Sequence, residues 1–301
     1  MSQAIEVEDR GALIKVLEEE ARQLRIEDIK MLVEAGSGHP GGTLSMAEMI
    51  AALYFHKLRL KPDQPEWPDR DRFILSKGHT IPIVYAALAR VGTIPSEWLS
   101  TLRKFGSPLQ GHPDRQRCPG VEANTGSLGQ GLSIAVGLAV AGKHDGASWN
   151  TYCMMGDGET QSGQIWEAAM LAGRLGLGNL VGILDNNQVQ QSLAVKQILD
   201  IDPVAKKYAD FNWHVREIDG HDMAQVLDAL DEAETVTDRP TVIVSHTIKG
   251  KGVSWMELNP DWHGKAPSRE EGEIAVAELE GRIDAEESKR RFEDLKKKGG
   301  S

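Results

Sequence analysis

The sequence predicts an α/β fold, a central and mostly parallel sheet flanked by helices on both faces. Three observations predict it. Short apolar runs of buried-strand type, TYCMM at 151–155, LVGIL at 180–184 and TVIVSHT at 241–247, alternate with stretches of helical apolar spacing. Two of these runs end in polar strings, GDG at Gly156, Asp157 and Gly158 and DNN at Asp185, Asn186 and Asn187. A helix-length segment lies between them, and such a βαβ unit has parallel strands with ligands gathered at their carboxyl ends.

The elements follow in order. Residues 9–33 carry helical spacing at Leu13, Val16, Leu17, Leu24, Ile29, Met31 and Leu32, then break at the glycine-rich string AGSGHPGGTLS. From Ser45 a second helix, MAEMIAALYFHKL, runs to the proline-containing turn at 62–68; FILSKGHT (73–80) is a strand delivering a loop, and GHPD (111–114) another loop. In TGSLGQGLSIAVGLAVAGK (125–143), Ser127 and Gln130 have capping-box spacing ahead of a helix apolar on all faces. Such a helix is expected to be buried, and its small residues Gly131, Ala135, Gly137 and Ala139 allow close backbone approach. QIWEAAMLAGRLGL (164–177) is the crossover helix of the βαβ unit; helix VAKKYADF, strand WHVREI, helix AQVLDALDEA and strand TVIVSHT continue the alternation. No internal repeat or interdomain linker is evident, so one domain over 1–268 is expected, followed at 269–301 by a charged, solvated helix and a frayed or added KKKGGS tail.

Bulk composition narrows the function. A chain of 301 residues with 40% hydrophobic content buries a large core, and a net charge of −11 disfavours nucleic-acid and anionic-membrane surfaces. Any phosphate site is therefore local. Two cysteines, Cys118 and Cys153, lack metal-type spacing and suit packing in a reducing compartment. The N-terminus is polar, and the longest near-apolar stretch, LSIAVGLAVAG (132–142), is too short to span a bilayer. The expectation is a cytoplasmic protein with no membrane and no nucleic-acid partner.

The strand-end strings carry the chemistry. Magnesium takes hard oxygen ligands, few of them from protein when phosphates complete the shell. Asp157 and Asn187, thirty residues apart, each offer one oxygen, and the carbonyl of Val189 is a plausible third ligand. The glycines beside Asp157 let a phosphate approach the backbone, while a helix starting near Gln164 points N–H groups at it. Taken singly, GDG and DNN are also common turns; their spacing, with strand and helix fitted between, favours the metal site. Four histidines, His39, His79, His112 and His263, each sit in a loop beside glycine or proline. Neutral imidazole suits hydrogen bonding to sugar hydroxyls and proton movement on oxygen, and none of the spacings resembles a zinc motif. His56, His144, His214, His221 and His246 lack this setting and are read as structural.

From about residue 10 to 268 the ordered strings SGHPGG, SKGH, GHP, TGSLGQG, GDG with DNN, TIKGKG and WHGKAP resemble the N-terminal, diphosphate-binding (PP) domain of the transketolases. The resemblance implies thiamine diphosphate held through Mg²⁺, or Ca²⁺ or Mn²⁺ in its place. It puts the metal on Asp157, Asn187 and Val189, the diphosphate near Gly158, His79 and His263, and the coenzyme rings beside Gly126 and Leu128. His39, His112 and His263 face the sugar. Lys249, in TIKGKG, either faces the phosphates or is solvated. The implied reaction moves a two-carbon ketol unit from a ketose to an aldose through a carbanion of the coenzyme. In the family the pyrimidine-binding and C-terminal domains follow and carry an essential glutamate and most sugar-phosphate contacts. The resemblance therefore implies one subunit of a split transketolase that works with a second subunit, as α2β2. Many relatives have glutamate where this chain has Ser162, which puts site-to-site communication in doubt and leaves room for a sulfonated or branched sugar. Rival readings are the α subunit of a 2-oxo acid dehydrogenase and a non-catalytic coenzyme-binding pseudo-subunit.

Overall fold

The computed structural model describes residues 9–299, so the polar start at 1–8 and the last two residues of the KKKGGS tail lie outside the described residues. Helix α1 (Arg10–Ala35) is opened by Asp9, whose carboxylate accepts from the Ala12 N–H, and closed by Gly36 at φ 63°. A short α2 (Pro40–Leu44) follows His39, and α3 (Ala47–Ala52) widens into a π-helical turn over Leu53–Lys57. Next come β1 (Arg72–Leu75), α4 (Pro82–Arg90), α5 (Gly131–Asp145), β2 (Thr151–Gly156), α6 (Gly163–Leu175) and β3 (Leu180–Asn186). The chain continues through α7 (Val195–Ile198), α8 (Val204–Asp210), β4 (His214–Asp219), α9 (Met223–Thr235) and β5 (Thr241–His246), then α10 (Arg269–Leu279) and α11 (Ala285–Gly299).

The five strands form one parallel sheet in the order β1-β2-β3-β5-β4, with Gly156 opposite Asp185 and Asp185 opposite Ser245. Alternate strand residues serve opposite layers. Tyr152, Met154, Ile183 and Ile243 join the core beneath α1, α3, α4 and α9, whereas Cys153, Met155, Leu184 and Val244 join the core beneath α5, α6 and α8. Burial on both faces explains why β2, β3 and β5 read as unbroken apolar runs, while the edge strand β4 is mixed. Both cysteines are buried and free, as packing residues are.

Three local expectations change. The Ser127 and Gln130 capping box does not form, because α5 starts at Gly131 with Gln130 itself in the N-cap position, and Gln130 Nε2 donates to Ser127 Oγ instead. Helix α5 is not buried on all faces: it lies outside the sheet, with Leu132, Val136 and Ala139 inward and Gly137, Val140 and Ala141 exposed. The charged C-terminal stretch is two helices rather than one solvated helix. Phe292 stacks on Trp255 with centroids 4.2 Å apart, Trp255 Nε1 donates to Ser288 Oγ, and Ala275 and Leu279 share their core with α1 residues Ile26 and Ile29. Most of its charge lies on outward faces, with Glu271 buried in the capping box at the start of α10.

Candidate active site

Loops leaving β1, β2, β3 and β5 at their carboxyl ends meet α2 around a cavity of about 200 Å³. Its lining includes Gly42, Lys77, His79, Leu128, Asp157, Gly158, Asn187, Val189, Lys249 and His263.

Asp157 directly follows β2 and caps a 3-10 turn over Gly158–Gln161, and α6 begins at Gly163, close to the expected start near Gln164. Its two oxygens accept from the Gly158 N–H at 2.7 Å and the Gln188 N–H at 2.5 Å. Burial and the nearby Asp185 charge push its carboxyl up to about 6. Asn187 Nδ2 donates to Asp185 Oδ2 at 2.8 Å, which fixes the amide so that Oδ1 is its acceptor side, where it receives the Val189 N–H at 3.3 Å. Asp185 itself is buried. Burial raises its carboxyl, but the Lys77 ammonium and donors from Thr247 and Asn187 outweigh that and hold it below the ordinary value. The Val189 carbonyl receives the Lys249 ammonium at 2.8 Å. Carboxylate, amide oxygen and carbonyl on one wall, with two ammonium groups close by, form a donor set that fits a magnesium diphosphate.

The histidines gather as their loop settings suggest. His39 lies 4.9 Å from His79 and 5.5 Å from His263, centroid to centroid, and His79 lies 5.6 Å from His263. His112, more exposed, packs against Gly126, whose φ of 140° and missing side chain make the contact possible; a Cβ there would fall 2.7 Å from His112 Cδ2. Burial, with the positive charge of Arg103, lowers His39 to about 4 and also lowers His112; burial and the Lys249 charge lower His263 to about 4. His79 is lowered further by burial. Near pH 7 these rings are neutral, each with one donor and one acceptor nitrogen.

Three charged groups exceed what the motifs promised. Lys249 is almost wholly buried, not solvated; its Nζ lies 2.7 Å from His263 Nδ1, and burial lowers it to about 8. Lys77, inside the SKGH string itself, pairs with Asp185 and donates to the Gly42 carbonyl at 3.0 Å. Glu159, after GDG, accepts from Ser76 Oγ, from the Gly129 N–H at 2.8 Å and from the Gly156 N–H at 3.1 Å. Their buried positions were hidden because charged residue types are read as exposed unless a partner is known.

The family model for the transketolase, thiamine diphosphate binding domain, matches residues 16–287. The 6-deoxy-6-sulfo-D-fructose transketolase subunit SqwG of Clostridium sp. (strain MSTE9) is 44% identical over 259 residues, 86% of this chain and 93% of that protein. An apulose-4-phosphate transketolase subunit of Phocaeicola vulgatus is 40% identical over 271 residues, 90% of this chain and 96% of that protein. The solved transketolase of Campylobacter jejuni superposes with a TM-score of 0.84 at 33% identity, covering 92% of this chain and 45% of that one. The chain thus spans under half the length of that transketolase. No helix among the described residues is long and apolar enough to cross a membrane. The family-model match and the chain-wide similarity have one reading: the chain belongs to the transketolase family, as its thiamine diphosphate-binding domain.

Proposed function

We propose that the chain is the diphosphate-holding subunit of a two-chain transketolase, moving a two-carbon ketol unit from a ketose to an aldose. The observation that carries this reading is the cavity that brings Asp157, Asn187 and Val189 together with Lys249, His79 and His263. Asp157, Asn187 and the Val189 carbonyl hold Mg²⁺, Gly158, His79, His263 and Lys249 face the diphosphate, and Gly126 and Leu128 flank the rings. Bound there, thiamine diphosphate supplies the electron sink for breaking and remaking the carbon–carbon bond. His39, His112 and His263, as neutral imidazoles, hydrogen-bond the sugar oxygens, and His112 donates where negative charge develops on the carbonyl oxygen.

A second subunit supplies the pyrimidine-binding and C-terminal domains in an α2β2 assembly. Support comes from the two relatives named as subunits, of which this chain covers nearly the whole length. An obligate interface of this kind buries on the order of 2,000–5,000 Å², and the exposed small-residue face of α5 is the surface suited to it. The substrate class is a phosphorylated or sulfonated sugar, as the names of those relatives indicate for them. The test mixes this chain with the candidate second subunit, Mg²⁺ and thiamine diphosphate and assays ketol transfer over a sugar panel. Transfer only in the mixture supports the reading; transfer to a lipoyl acceptor with none from ketoses overturns it.

A further inference from the structure

His221 lies after β4, outside every motif string, yet its ring reaches the loop that carries Lys249. In that loop Gly250 N–H donates to the Gly41 carbonyl at 2.9 Å, and Ile248 N–H donates to His221 Nε2 at 2.9 Å. A backbone amide only donates, so Nε2 presents its lone pair and the ring proton sits on Nδ1. Nδ1 lies 3.2 Å from Glu48 Oε2 on α3, and the same oxygen receives Arg25 Nη2 of α1 at 2.6 Å. Arg25 Nε donates in turn to the Leu44 carbonyl at 3.1 Å. With side chains only 8–11% exposed, Arg25, Glu48 and His221 make a closed, satisfied polar chain from the first helix to the Ile248 amide.

We propose that His221 is a positioning residue for Lys249: by accepting the amide of the preceding residue, the imidazole fixes the backbone from which the lysine reaches the cavity. The lysine side chain has little freedom to correct a displaced backbone. It passes Gly41 so closely that a Cβ there would fall 2.9 Å from Lys249 Cε, and it ends between the Val189 carbonyl and His263 Nδ1. A largely enclosed imidazole, oriented through Nδ1 by Glu48 and accepting a loop amide at Nε2, is the way a supporting residue holds a ligand-facing group in place.

This inference rests on the proposed function, in which Lys249 faces a diphosphate. Its test titrates thiamine diphosphate, with Mg²⁺ saturating, into the reconstituted two-chain complex carrying the wild-type chain or its variants, and follows thermal melting of each chain without coenzyme. His221→Ala should weaken coenzyme affinity roughly 10- to 100-fold, and His221→Gln, whose amide offers an acceptor to Ile248 and a donor to Glu48, should restore most of it. Lys249→Met and the double variant should bind alike, since His221 acts through the lysine. If His221→Ala does not fold, His221→Phe keeps the ring volume, removes the acceptor and takes its place in the cycle. Wild-type affinity in a folded variant lacking the acceptor, or fully additive losses in the double variant, overturns the proposal. A wild-type two-chain complex that binds no coenzyme overturns the functional reading instead, so the two failures are distinct.

Discussion

Lys77 and Asp185 form an ion pair sealed at the base of the cavity, with side chains only 3% and 1% exposed. The pair joins the loop after β1 to the end of β3, and Asp185 also accepts from Ser45 Oγ, Thr247 Oγ1 and Asn187 Nδ2. Lys77→Met leaves a buried carboxylate without its counter-charge, and breaking such a pair costs about 3–5 kcal/mol. Urea unfolding at pH 7 measures it. A midpoint equal to wild type would show that the three remaining donors suffice.

Glu159 ties the loop after β1 and the loop before α5 to the end of β2 with one carboxylate, and all of its partners are donors. Glutamine offers one acceptor oxygen and an NH₂ that must face another donor. Glu159→Gln is expected to cost roughly 1–3 kcal/mol and to speed hydrogen exchange at the Gly129 and Gly156 amides. Unchanged exchange at both would remove the carboxylate from its role as a tie.

For His112, exposure makes a folding defect from its removal unexpected. His112→Ala in the reconstituted two-chain enzyme should lower kcat by about 10²–10³-fold, with coenzyme affinity unaltered. Turnover at the wild-type level would leave the residue a packing partner of Gly126 only.

Asp28 of α1 predicts a pH effect. Its Oδ2 accepts from Thr43 Oγ1 at 2.6 Å, Oδ1 has no hydrogen-bond partner among the described residues, and burial pushes its carboxyl up to about 8. The folded state therefore holds this proton between pH ~4 and ~8 while the unfolded state releases it. Its contribution to stability is full below pH ~4 and is lost as pH rises toward 8. Asp28→Asn, which keeps the acceptor for Thr43, should remove that slope and stabilise the protein at pH 7 by roughly 1–3 kcal/mol. Melting curves of both proteins at pH 5, 7 and 9 provide the comparison; parallel pH dependence would refute the assignment.

The sheet was legible because strands buried on both faces must be apolar throughout, and β2, β3 and β5 obey that rule. The glycine and histidine loops were legible too, since close backbone approach leaves few residue choices. Helix α5 misled because apolar composition does not say which face meets the sheet, and its small residues are exposed at Gly137 and Ala141. Lys249 and Glu159 were obscure for another reason. Whether a charge is buried depends on partners distant in sequence, such as Val189 for one and Ser76 for the other.

The aromatic stack on Trp255 has a mechanical consequence for the floor of the cavity. Trp255 also meets Trp262 at 4.8 Å, and Trp262 directly precedes His263. Phe292 of α11 thus buttresses, through two indoles, the histidine that borders Lys249. Trimming α11, or fusing a bulky tag against it, would loosen that floor from behind while leaving every motif string intact.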